Sequence, residues 1–100
     1  MEAVGMLEVY GCCAALVAAD AACKAAAVRI DALDKNKPAN ADKLPVPLVM
    51  LVKMRGSVAD VEAAMAAAEE AANSLTGVVS KYIIASPQKD TEKMLKIRAM

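Results

Sequence analysis

The stretch Met6–Val28, MLEVYGCCAALVAADAACKAAAV, decides how the rest of the chain is read. Met6 to Tyr10 has the texture of a short strand, and Gly11 turns it into a helix made almost wholly of alanine and other small apolar residues. Between Gly11 and Val28 the only charged side chains are Asp20 and Lys24, spaced to share one stripe of that helix. A helix with so narrow a polar stripe is expected to be buried nearly all round. Alanine favours the helix and lets a neighbouring backbone come close, so a sheet is expected on one side and another subunit on the other.

Composition points the same way. The 100 residues make one domain, 1–100, that is 58% apolar yet has no Phe or Trp and only two Tyr, Tyr10 and Tyr82. Its core must be filled by Ala, Val, Leu, Ile and Met. Each alanine buries little area, so a monomer of this size is short of stabilising burial, and association with further copies is expected. The 12 basic and 12 acidic residues balance, and there is no His, which argues against a nucleic-acid partner. Asp20 ends the longest uncharged apolar run, Gly11 to Ala19, well short of the roughly 20 residues that span a bilayer, and the N-terminus lacks a signal-like pattern. A soluble intracellular protein, without membrane partners, is expected.

Cys12, Cys13 and Cys23 do not form a metal or redox motif: no C-x-x-C occurs and no histidine could complete a zinc set. They are expected to be small buried hydrophobes; a metal or cluster site shared at an oligomer axis is the other reading.

After the alanine helix, Val28, Ile30 and Ala32 alternate with Arg29 and Asp31 as in a half-buried strand. Asp34 to Pro47, DKNKPANADKLPVP, is polar, carries three prolines and is expected to be a long loop over 34–47. Leu48 to Met54, LVMLVKM, reads as an interior strand covered on both faces and ended by Arg55 and Gly56. Ser57, paired with Asp60, caps a helix whose apolar face is Val61, Ala64, Met65, Ala68 and Ala72, while Glu62, Glu69 and Glu70 lie largely off it. Val78 to Ile84 is the last strand, and from Asp90 a short helix offers Met94, Leu95 and Ile97 for burial. The order β-α-β-β-α-β-α implies an α+β, ferredoxin-like sandwich: a four-stranded antiparallel sheet, two main helices on one face and a short C-terminal helix.

The segments GMLEVYG, AADAACKAAAV, RGSVADVEAAMAAAEEAA and the tail IIASPQKDTEKML, in this order and spacing, resemble a single-domain shell protein of bacterial microcompartments, the BMC domain. The resemblance covers nearly the whole chain, leaving out only Lys35 to Pro47. It implies a homohexamer shaped as a flat tile. Such tiles join edge to edge, with other shell proteins, into the facets of a polyhedral shell around encapsulated enzymes in the cytoplasm, and small metabolites pass through a central pore. It also implies that Lys24 is the edge lysine that meets backbone carbonyls of the neighbouring tile; the periodicity alone reads Lys24 as a solvated partner of Asp20.

Two departures bear on the site. Where many family members carry an arginine before the proline that precedes the terminal helix, this chain has Ser86 before Pro87, so the corner contact is left to another residue, with Gln88 and Lys89 nearest. Asp34 and Lys35 match the residues that introduce the family's short glycine-rich pore turn, but the turn is replaced by NKPANADKLPVP, which has no glycine. The pore-loop set is therefore Asp34, Lys35, Asn36, Lys37, Pro38, Asp42 and Lys43. Either these loops gather at the axis, narrowing the pore and biasing it toward anions, or they fold outward and leave it wider.

No catalytic constellation is legible: there is no His, no serine with a base partner and no Gly-rich phosphate loop, since Gly5, Gly11, Gly56 and Gly77 are dispersed. No cofactor is expected. The rival function is a small oligomeric ligand-binding regulatory protein on the same kind of sandwich, which would form a closed oligomer and stop, whereas a tile has a self-complementary edge.

Overall fold

The structure is a computed structural model that describes residues 2–36 and 48–96. The elements follow the expected order: β1 (Ala3–Tyr10), α1 (Cys12–Ala25), β2 (Arg29–Asn36), β3 (Val49–Gly56), α2 (Val58–Asn73), β4 (Val78–Ile84) and α3 (Lys89–Leu95). The strands form one antiparallel sheet in the order β2-β3-β1-β4. This is the ferredoxin-like arrangement, with the central pair β1 and β3 joined to helices that cross one face.

Alternation along the strands sorts side chains between two faces. Ala3, Leu7 and Val9 of β1 and Met50, Val52 and Met54 of β3 join Ala14, Ala15, Ala18 and Ala22 of α1 and Val61, Ala64, Met65 and Ala68 of α2 in the core. Gly5 completes the β1 row, because a Cβ there would lie 2.9 Å from Val61 and 3.0 Å from Met54 and Met65. At Gly11 the chain takes φ 90°, a conformation that suits glycine, and turns from β1 into α1. Ser57 caps α2 as its spacing predicts: its Oγ accepts from the Asp60 N–H at 3.1 Å and donates to the Asp60 carboxylate at 2.9 Å. The apolar face expected for α2 is its buried face, residue for residue.

Two expectations are corrected. Within a single chain α1 is not buried all round: Ala14, Ala15, Ala18, Ala19 and Ala22 are buried, whereas Leu16, Val17 and all three cysteines are exposed. The sheet and α2 reach only one side of this helix, and its apolar outer side has no cover among the described residues. Nor does the loop begin at Asp34. Strand β2 continues through Asn36, which pairs with Val49, so Asp34, Lys35 and Asn36 are strand residues. The polar texture does not end the strand because Asp34 points to an ionic partner on β3, described below.

Candidate functional site

The antiparallel register gives the sheet two chemically different ends. At one, Val4 lies opposite both Arg55 and Ile84, and Arg29 opens β2 opposite Arg55. Ser86 and Gln88 follow β4 at this end, and α1, having crossed the sheet from Gly11, arrives here with Lys24 in its last turn. At the other end Tyr10 and Asn36 both pair with Val49, and the Gly11 N–H donates to the Leu48 carbonyl at 2.8 Å. The eight-residue strands separate these ends by roughly 23 Å. The residues expected at a tile edge (Lys24, Ser86, Gln88) and those expected at a pore (Asp34, Lys35, Asn36) therefore lie at opposite ends. Lys37, Pro38, Asp42 and Lys43 lie outside the described residues.

Lys24 is well exposed and pairs with Asp20 at 2.7 Å, one turn back on the same helix. The Asp20 carboxylate, first by hydrogen bonding and then by charge, holds the ammonium pKa above its ordinary range. Exposed pairs of this kind are screened by water and add little to stability, so Lys24 is readily available to another acceptor. Gln88 is the exposed N-cap residue of α3 and makes no side-chain capping bond. Lys35 is exposed next to buried Asp34.

The face of the sheet opposite α1 and α2 carries an ionic seam that sequence reasoning missed. Lys53 and Arg55, two residues apart on β3 and both buried, alternate with core-facing Val52 and Met54 and so point the other way. Lys53 Nζ lies 2.7 Å from the Asp34 carboxylate, with both side chains 7% exposed, and also donates to the Leu95 carbonyl of α3 at 3.2 Å. Arg55 grips Glu92 of α3 with two hydrogen bonds of 2.7 Å and donates to the Glu2 carbonyl at 3.1 Å. That fork pulls the Glu92 carboxyl below its ordinary value and raises the guanidinium, against the desolvation that opposes both. Glu2, held by Arg29, is likewise depressed. The signal available in the sequence was the pair of cations spaced by two in an otherwise apolar strand.

A cleft of about 600 Å³ opens beside this seam, lined by Glu2, Arg29, Asp31, Arg55, Glu92, Leu95 and Lys96. Its cations and carboxylates balance in number, so it selects neither sign of ligand by net charge. Among the described residues no group of three or more His, Cys, Asp or Glu is placed to hold a metal ion, and no helix is long and apolar enough to cross a membrane.

Residues 3–87 match the model of the BMC domain family. Over 98 residues the chain is 38% identical to the carboxysome shell protein CcmK2 of Synechocystis sp., covering 96% of this chain and 86% of that protein. Over 94 residues it is 36% identical to the bacterial microcompartment shell protein PduA of Salmonella typhimurium, covering 94% and 90% respectively. Its fold superposes on the crystal structure of a microcompartments protein from Desulfitobacterium hafniense with a TM-score of 0.68 and 27% identity, over 89% of this chain and 43% of that longer one. On the fold, the family match and these relatives together, the chain belongs to the BMC-domain family of bacterial microcompartment shell proteins, whose place is the shell.

Proposed function

We propose that this chain is a non-enzymatic tile of the shell: six copies form a flat hexamer, and hexamers join edge to edge and with other shell proteins into facets around encapsulated enzymes. The observation that carries this reading is the separation of two residue sets to opposite ends of one sheet. A tile needs an outer edge and a central axis in every subunit, and the chain offers Lys24, Ser86 and Gln88 at one end and the root of the 37–47 segment at the other. The uncovered apolar side of α1, with Leu16 55% and Val17 41% exposed, supports burial against further copies.

At the edge, Lys24 extends its stem along apolar surface and exchanges Asp20 for carbonyls of the adjoining tile. Ser86 and Gln88 serve the same boundary without the guanidinium that many relatives bring there. At the axial end Lys35 is exposed near the end of β2, and the sequence beyond it adds Lys37, Asp42 and Lys43, a net positive set that lies outside the described residues; a positive axial field favours small anionic metabolites by electrostatic focusing. Asp34 does not subtract from that field at full strength, because Lys53 neutralises it inside the domain.

Electron microscopy of purified wild type, Lys24→Ala and Lys24→Asp tests the edge. Wild type is expected to form extended sheets or tubes and both variants only isolated hexamers; sheets of equal extent from Lys24→Asp would overturn the edge assignment.

A further inference from the structure

Lys53 occupies an unusual position: one buried ammonium is bonded at once to the end of β2 and to the end of α3. On one side is Asp34, two residues before the last residue of β2. On the other is the carbonyl of Leu95, the one buried side chain of a helix whose neighbouring Met94 is 63% exposed. Helix α3 is only seven residues long and lacks a side-chain cap, so its seat on the sheet depends heavily on two cations of β3, Lys53 at its C-terminal end and Arg55 at Glu92. The two cations share one strand face, and each also holds a second element: β2 through Asp34, and the N-terminal segment through the Glu2 carbonyl.

We propose that Lys53 is a positioning residue that couples α3 to the end of β2, so that displacement of α3 shifts the strand end from which the proposed pore segment departs. A charge this deeply buried cannot lose one of its oxygen partners without cost, and an ammonium no longer fixed from one side holds the groups on its other side less firmly. Coupling carried this way is reciprocal: loosening Asp34 must loosen α3, and loosening α3 must loosen the end of β2. The consequence for a pore rests on the tile reading above; the coupling itself does not.

The test is amide hydrogen exchange, followed by mass spectrometry, on the protein in its own oligomeric state, comparing wild type, Asp34→Asn, Glu92→Gln and Glu8→Gln. The last variant alters a carboxylate on the same sheet face, one strand over from Lys53, that accepts from Ser80 instead of from a cation of the seam. Asp34→Asn is expected to speed exchange in Lys89–Leu95, and Glu92→Gln to speed exchange at the end of β2. Each change should be at least about fivefold, with α1, α2 and the Glu8→Gln protein unchanged. Effects confined to the mutated element, or a uniform rise that includes α1 and α2, would overturn the coupling. If Asp34→Asn does not fold, Glu92→Gln alone decides, since reciprocity requires its effect on β2. The mass of the same samples is read separately: a mass other than six chains would sink the tile and leave the coupling standing.

Discussion

Gly5 and Asp34 show how much of this fold hangs on single residues. At Gly5, strand β1 passes so close beneath α2 that an added methyl would press on Val61, Met54 and Met65 well inside ordinary van der Waals contact. Gly5→Ala is therefore expected to cost about 1–3 kcal/mol by overpacking, read as a lower urea midpoint with unchanged slope. Asp34→Ala leaves the Lys53 ammonium buried without its carboxylate and is expected to cost about 3–5 kcal/mol in the same measurement. A loss under about 1 kcal/mol would mean that water or another acceptor takes over. The Ser57 and Asp60 cap was legible in the sequence because its partners are three residues apart. The Asp34 and Lys53 pair was not, because register across two strands brings it together, and Asp34 read as the start of a loop.

Among the elements, α3 is tied to the sheet by two cations of β3, Lys53 and Arg55, besides its buried Leu95. Glu92 has its carboxyl drawn below the ordinary 4.5, first by the Arg55 hydrogen bonds, with desolvation opposing and the charges of Arg55, Lys96 and Arg29 assisting. A carboxyl depressed in the folded state binds its proton at lower pH than in the unfolded chain. Its stabilisation is thus fully present above 4.5 and is lost as pH falls through the lower folded value. The protection of Lys89–Leu95, taken as exchange relative to the intrinsic rate at the same pH, is expected to fall selectively as pH drops below that range, and Glu92→Gln to show the lower protection already at pH 7. A wild-type α3 that keeps its protection in acid would contradict the ionic seat. Helix α1 teaches a different lesson: its alanine-rich pattern gave only the narrow stripe of Asp20 and Lys24 to mark as outward. Which side faces the sheet became visible only when Ala14, Ala15, Ala18, Ala19 and Ala22 were seen packed and Cys12, Leu16 and Val17 were seen exposed.

For the whole molecule, strand and helix order was legible because period-two and helical patterns alternate cleanly from β1 to β4, and the buried face of α2 followed from spacing alone. Edge and axis were not legible as places. Lys24 and Ser86 lie far apart in sequence, and only the antiparallel register brings them to one end of the sheet, away from Lys35 and Asn36. That division is what the proposed tile would use as its inside and its outside, and the exposed apolar side of α1 is surface that a lone chain leaves in water. The most direct measurement is the absolute mass of the purified protein by light scattering after size exclusion. A mass of six chains is the expected result; a discrete dimer or trimer at all concentrations would contradict the tile and withdraw the edge role of Lys24 and the axial role of the segment after β2.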